Sequence, residues 1–126
     1  MNVKLEGSRA EARLRNQLAN WGFWTHLLED NKNGQPFDII AIKNGKIFAM
    51  DSKTSVSNRF NCSRIEDNQY SSLALIAKEG AYTGFAIHYQ DLIYFLDYET
   101  LKEGTKSYEI EKLPRLEEYI RKCLFH

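Results

Sequence analysis

Residues 35–55, QPFDIIAIKNGKIFAMDSKTS, decide the fold, because two apolar runs there are joined by Asn44-Gly45. An Asn-Gly pair between two β-forming runs is the strongest short signal for a hairpin with a two-residue loop. Such a loop fixes the register of its strands, so every residue before it has a known partner after it. Counting outward from the loop, the sequence predicts that Asp38 lies directly opposite Asp51.

The predicted aspartate pair needs a partner, because opposite residues have Cβ atoms about 4.5–5.5 Å apart and like charges there repel. Side chains alternate along a strand, which puts Lys53 on the same face as Asp51. One carboxyl group could be protonated through a raised pKa, or Lys53 could neutralise the pair. A divalent cation such as Mg²⁺ or Mn²⁺ could also bind between the carboxylates. The alternative is a frayed strand end with both aspartates in solvent.

Composition indicates one folded domain over residues 1–126, since 43% of the chain is hydrophobic and it has 7 Tyr, 7 Phe and 2 Trp. Its 17 basic and 17 acidic residues cancel. Any attraction to nucleic acid must therefore come from local clusters of Lys and Arg. Cys62 and Cys123 are far apart, and no signal peptide or apolar run of about 20 residues is present, so we expect a cytoplasmic protein without a membrane segment.

The rest of the chain predicts an α/β fold in the order α-β-β-β-α-β-β-α, a mixed sheet with helices. A capping-box spacing between Ser8 and Glu11 predicts that the first helix, residues 5–21, starts near Arg9 and ends at Gly22. The other predicted segments are a strand at 23–29, a polar loop at 30–36, the hairpin strands at 37–43 and 46–53, an irregular stretch at 55–65, a helix at 64–79, strands at 82–89 and 92–98 joined through Gln90-Asp91, and a helix at 114–125.

The motif PFD, followed by a hairpin and then DSK, resembles the signature of the PD-(D/E)xK nucleases. The opening GSRAEARLRNQLANWGF is similar to the first helix of archaeal, Hjc-type Holliday-junction resolvases, and residues 64–101 resemble the second half of RecU-type resolvases. The resemblance covers roughly residues 7–101. It implies a restriction-endonuclease-like mixed β-sheet core flanked by helices. The size of the chain suits a compact phage-encoded resolvase or recombination nuclease, acting in the cytoplasm of a bacterial, archaeal or phage-infected cell.

The resemblance also implies a site. Asp38 and Asp51 would hold Mg²⁺, for which Mn²⁺ could substitute, together with the backbone carbonyl of Ser52. Glu11 matches the family's helix glutamate that faces the metal, although it could equally be a helix-capping residue. Lys53 would be the catalytic lysine.

Gln69 matches a glutamine that follows the lysine motif, and its amide would hold the attacking water or a phosphate oxygen. The alternative is that Gln69 is an ordinary solvent-facing helix residue. Arg9, Arg59, Arg64 and Ser55 are candidates for phosphate contacts, which Lys and Arg usually provide, although most exposed basic residues are only solvated surface.

Other polar and aromatic residues have structural interpretations. We expect His26 and His88 to be structural, Tyr70 to lie in the core, and three aromatics to lie in the core or a dimer interface: Trp21, Phe23 and Trp24.

These observations predict a Mg²⁺-dependent endodeoxyribonuclease that resolves Holliday junctions or other branched recombination intermediates. Paired cuts on two strands imply a homodimer with two-fold symmetry. Two alternatives remain open. One is a restriction-type, repair or flap nuclease of the same superfamily. The other is a non-catalytic DNA-binding module with a nuclease-like fold.

Overall fold

The computed structural model of the chain describes residues 3–29 and 36–125, with side chains from residue 7 onward. The helices are α1 Val3–Asn20, α2 Asp67–Lys78, α3 Tyr98–Leu101 and α4 Leu116–Leu124. The strands are β1 Trp24–Leu27, β2 Ile39–Lys43, β3 Lys46–Thr54, β4 Arg59–Asn61, β5 Tyr82–Tyr89, β6 Leu92–Asp97 and β7 Ser107–Glu109. Most of the predicted loop at 30–36 lies outside the described residues. Among those residues, no helix is long and apolar enough to cross a membrane.

The predicted mixed sheet flanked by helices is confirmed. Five strands lie in the order β1-β2-β3-β5-β6. The β3–β5 pair is parallel and the other neighbours are antiparallel. The connection between the parallel strands contains α2, as parallel strands require a crossover. The order of elements extends the predicted one by β4, α3 and β7.

The Asn44-Gly45 hairpin has the predicted register, with pairing from Lys43–Lys46 to Ile39–Met50. Both loop residues have positive φ, 53° for Asn44 and 75° for Gly45. A two-residue turn of type I′ requires this backbone at both positions, and Asn and Gly tolerate it best.

The register does not continue to the predicted pair Asp38–Asp51. The backbone N–H of Asp38 donates to the carbonyl of Met50 at 2.9 Å, although Met50 is already the partner of Ile39. Asp38, which directly precedes β2, and Ile39 therefore both face Met50 of β3, which is the arrangement of a β-bulge. The aspartates are brought together by this bulge and not by regular pairing.

The two faces of the sheet carry different cores. Even-numbered β3 residues Phe48 and Met50 pack with Leu14 and Leu18 of α1. The odd-numbered Ala49 belongs to the second core. That core also contains Leu73 of α2 and, from β5, Phe85 and Ile87. By alternation, Asp51 and Lys53 lie on the α2 face, and Ser52 lies on the α1 face.

The capping-box prediction for the first helix is wrong. Helix α1 already includes Val3, so Ser8 and Glu11 lie within it. The preceding Lys-Leu-Glu run has good helix formers, which extend the helix past the expected start. Gly22 does follow the helix, with φ of 88°. The helix predicted from residue 64 starts at Asp67, because Cys62–Arg64 form a 3₁₀ turn.

The segment predicted as irregular contains β4, which pairs antiparallel with β7 in a separate two-stranded sheet. Phe60 of β4 is fully buried in the α2-side core. The prediction failed because a three-residue strand has no periodicity of its own, and its partner is distant in the sequence. Tyr70 was also wrongly placed in the core. Its side chain is 38% exposed and lies beside the ring of Tyr98.

Candidate active site

Asp38 and Asp51 are both buried, with exposed fractions of 7% and 2%. The hypothesis of a frayed strand end in solvent is therefore wrong. The two carboxyl groups are close enough that Asp38 raises the pKa of Asp51 both by its charge and through a hydrogen bond. Two acidic groups thus share a site from which water is largely excluded.

The carboxyl group of Asp51 is strongly perturbed. Burial and, after it, the charge of Asp38 raise the pKa of Asp51 to about 7, although the ammonium group of Lys53 opposes both effects. Burial is the largest cause, because removing a carboxylate from water penalises its charged form. Without a further cation, this site holds a proton near neutral pH.

Lys53 lies between Asp51 and α2. Its Nζ atom is 3.2 Å from Oδ2 of Asp51 and 3.3 Å from Oε1 of Gln69. The first contact is an ion pair, but no donor meets the buried Oδ2 atom at a hydrogen-bonding angle. One lysine therefore only partly compensates two buried acidic side chains, and an oxygen with free lone pairs remains at the centre of the site.

Gln69 is buried near the start of α2, so the solvent-facing interpretation is wrong. Its Oε1 atom also accepts a hydrogen bond from the backbone N–H of Glu66, at 3.3 Å. Gln69 thus attaches the first turn of α2 to Lys53. Because the N-cap residue is Glu66 and not Ser, Thr, Asp or Asn, the sequence lacks the usual capping-box signal for this helix start.

On strand β3, Ser52 contacts residues on both sides of the sheet. Its backbone N–H donates to Oδ2 of Asp38 at 2.7 Å, which fixes that carboxylate. Its hydroxyl group is 3.1 Å from Nε2 of His88 on the opposite face. Burial lowers the pKa of His88 to about 4, and the charge of Arg13 contributes. His88 is therefore a neutral, buried partner of Ser52 at pH 7.

The acidic pair fits a hard divalent cation. Mg²⁺ usually binds one or two carboxylates and completes its coordination with waters and substrate phosphates. Asp38 and Asp51 provide that number, and Oδ2 of Asp51 accepts no well-directed hydrogen bond from the described residues. Within residues 3–29 and 36–125, no group of three or more His, Cys, Asp or Glu side chains is placed to hold a metal. Glu11 is half-buried on α1, and its assignment as a ligand stays a prediction.

The candidate phosphate-binding residues lie in two places. Arg9 is exposed on α1, which packs on the face opposite Asp51. Arg59 and Arg64 are exposed in the segment that follows Lys53. Arg59 reaches the hydroxyl of Ser107 at 3.5 Å, and Arg64 lies over the ring of Phe60. Ser55, in the same segment, bonds to the carbonyl of Ser57.

The fold is similar to solved structures. The chain aligns with Hjc, a Holliday junction resolvase from Archaeoglobus fulgidus, at a TM-score of 0.72 and 19% identity, over 90% of this chain and 94% of Hjc. The fold resembles Hjc. The chain also aligns with the bacterial homing endonuclease I-Ssp6803I at a TM-score of 0.60 and 12% identity, over 98% of this chain and 97% of I-Ssp6803I. No protein-family profile and no curated protein matches the sequence. The Hjc-like architecture is thus shared at low sequence identity.

Proposed function

We propose that the protein is a metal-dependent endonuclease that hydrolyses DNA phosphodiester bonds, with Holliday junctions or related branched DNA as its substrate. The observation that carries this proposal is the buried Asp38–Asp51 pair beside Lys53, in which Oδ2 of Asp51 has the Lys53 ammonium group at 3.2 Å but accepts no well-directed hydrogen bond from the described residues. Buried groups with strongly perturbed pKa values cluster at functional sites. The Hjc-like fold supports DNA as the substrate, since both similar structures are described as a resolvase or an endonuclease.

Mg²⁺, or Mn²⁺ in its place, would be held by the carboxylates of Asp38 and Asp51 and by the backbone carbonyl of Ser52. A bound divalent cation lowers the pKa of a water ligand and polarises the phosphate. The N–H of Ser52 keeps the Asp38 carboxylate in position through its 2.7 Å bond. The bulge that ends the regular β2–β3 pairing is what turns Asp38 toward this N–H.

Lys53 would stabilise the negative charge that develops on the phosphate oxygens during attack. Its ammonium group is held at 3.2 Å from Asp51 and 3.3 Å from Gln69, so it is in place before the substrate binds. Such prior orientation makes an electrostatic contact effective, because no reorganisation is needed during the reaction. Gln69 acts in this proposal by positioning Lys53, and we expect in-line attack with 5′-phosphate products.

A junction requires two cuts, so a homodimer with two-fold symmetry would present two such sites. A restriction-type, repair or flap nuclease is the alternative within the same chemistry. The same acidic pair and Lys53 would serve each of these nucleases, so only the substrate distinguishes them.

The test is a cleavage assay on a four-way junction, a flap and a linear duplex, each with Mg²⁺ and with EDTA. We expect junction cleavage with Mg²⁺, none with EDTA, and a loss on the order of a thousandfold in Asp51→Asn. Asp91→Asn is the matched control, because Asp91 lies in the exposed β5–β6 turn with φ of 63°, which asparagine tolerates.

Three results would contradict parts of the proposal. Cleavage in EDTA, or by Asp51→Asn at the parent rate, refutes the metal site. Cleavage of the linear duplex or the flap in preference to the junction favours the alternative nucleases. Selective DNA binding without cleavage under any metal condition favours a non-catalytic module.

A further inference from the structure

The segment that follows the acidic strand is basic in a chain without net charge. Residues 52–65, here called the exit segment, contain Lys53, Arg59 and Arg64 and no Asp or Glu. Arg59 and Arg64 are exposed. Phosphate contacts from Lys and Arg provide most of the affinity for DNA, and a local cluster suffices for them. The exposed Arg59 and Arg64 would meet a phosphate backbone beside the candidate active site, with Glu109 opposite Arg59 across the β4–β7 pair.

The first part of the exit segment is fixed at both ends. The backbone N–H of Ser55 donates to the carbonyl of His88 at 2.9 Å. The backbone carbonyl of Asn58 accepts the N–H of Ile110 at 3.2 Å, and its side-chain oxygen accepts the N–H of Glu111 at 2.8 Å. Within the loop, the Ser55 hydroxyl donates to the Ser57 carbonyl at 2.7 Å. The loop thus has one preferred conformation.

This loop holds Val56 completely in solvent, with an exposed fraction of 102%. A valine there adds nothing to the core, and its branched side chain cannot bond to phosphate. The parts of DNA that favour an apolar contact are the thymine methyl group, the sugar and the face of an unstacked base. A continuous duplex keeps its base faces stacked, whereas a branch point exposes some of them.

The distance along the chain is suitable for such a contact. Three residues of backbone span at most about 11 Å, so Val56 lies within roughly 11 Å of Lys53. The major groove of B-DNA is about 12 Å wide and the minor groove about 6 Å. A DNA strand with its phosphate at Lys53 would therefore bring nearby bases to Val56, while the arginines meet flanking phosphates.

We propose that Val56 is a specificity-determining residue that contacts unstacked bases at a DNA branch point, while Arg59 and Arg64 bind the flanking phosphates. This inference rests on the proposed function, since it assigns the substrate to the same site. The proposal assigns general DNA affinity and the preference for branched DNA to different residues. The arginines give affinity for any DNA, and Val56 gives the preference for branched DNA over a continuous duplex.

The experiment measures binding by fluorescence anisotropy in an Asp51→Asn background, which prevents cleavage. A four-way junction is compared with a linear duplex of the same arm sequence at one salt concentration. We expect Val56→Ser to weaken junction binding about fivefold and to change duplex binding less than about twofold. The control is Leu75→Ser, which removes another exposed aliphatic side chain, 66% exposed on α2, and should change neither affinity.

The inference is overturned if Val56→Ser leaves junction binding unchanged, if it weakens both DNAs equally, or if the Asp51→Asn parent binds no DNA. Its failure is distinguishable from that of the nuclease proposal. Junction-selective binding that depends on Val56, without any cleavage by the wild type, supports the inference and refutes the nuclease. If the wild type cleaves junctions and Val56→Ser leaves junction binding unchanged, the nuclease proposal is supported and the inference about Val56 is refuted.

Discussion

The two faces of β3 bury polar groups in opposite ways. On the α1 face, Ser52 and His88 form a hydrogen bond of 3.1 Å, and the imidazole is neutral because burial lowers its pKa. On the α2 face, Asp51 lies against a second carboxylate, and its buried Oδ2 atom has an ion-pair neighbour but no hydrogen-bond donor. The two sites are centred on Asp51 and Ser52, which are neighbouring residues of β3.

The Ser52–His88 contact is a stable way to bury polar groups, whereas the Asp38–Asp51 pair is an unstable one. Buried polar groups in folded proteins are nearly always hydrogen-bonded, so the pair on the α1 face is what stability alone produces. Places where a chain departs from that rule tend to be functional sites, where stability is lost in exchange for activity. In the proposed function the α2 face of β3 is the functional face, and each prediction below compares it with the α1 face.

The largest effect is expected on cleavage. Lys53→Met should lower the rate of DNA cleavage by about a hundredfold, because it removes a positioned positive charge from the reacting phosphate. His88→Gln, which keeps a polar partner for Ser52 on the other face, should stay within about threefold of the wild type. Single-turnover rates with saturating Mg²⁺ measure both. Equal losses in the two variants would mean that the faces do not differ in function.

A smaller effect of opposite sign is expected on stability. In EDTA at pH 7, Asp51→Asn should raise the free energy of unfolding by about 1–3 kcal/mol, since it removes one of two buried acidic groups that repel each other. His88→Leu should lower it by about 1–3 kcal/mol, since it leaves the Ser52 hydroxyl without its partner. Urea titrations followed by circular dichroism give both values. A destabilised Asp51→Asn would show that the acidic pair is a structural element.

A further pair of opposing effects is expected in the pH dependence of the metal-free protein. The pKa of Asp51 is raised from 3.8 to about 7, so the folded state binds more protons than the unfolded state and this contribution to stability is lost as pH rises from about 4 to 7. The pKa of His88 is lowered from 6.5 to about 4, so its contribution is lost as pH falls through that range.

Urea titrations between pH 4 and 8 separate the two contributions. Relative to the wild type, Asp51→Asn should gain stability as pH rises, and His88→Gln should gain stability as pH falls. If both variants show the same pH trend, one of the two sites has been assigned the wrong protonation state.

Much of the fold follows from local signals in the sequence. Asn44-Gly45 fixed the register of the first hairpin, and the apolar runs around Gln90-Asp91 identified the second, where both turn residues have positive φ. Alternation along β3 alone placed Asp51 and Lys53 on the same side of the sheet. These features depend on a few neighbouring residues, so sequence patterns describe them well.

The features that were missed depend on distant contacts. The bulge at Asp38 is marked by the hydrogen bond from its backbone N–H to the Met50 carbonyl, which no residue type in the sequence predicts. Strand β4 exists only because β7 pairs with it and Phe60 is buried there. Gln69 could be assigned to the site, but its bond to Lys53 requires the packing of α2 against the sheet.

Mn²⁺ binding measured by isothermal titration calorimetry at pH 7, without DNA, tests most directly whether the α2 face of β3 is a cation site. We predict saturable binding to the wild type and to His88→Gln, loss of binding in Asp38→Asn and in Asp51→Asn, and proton release from the acidic pair on binding. Equal binding by all four proteins, or none by the wild type, would contradict this account of the Asp38–Asp51 pair.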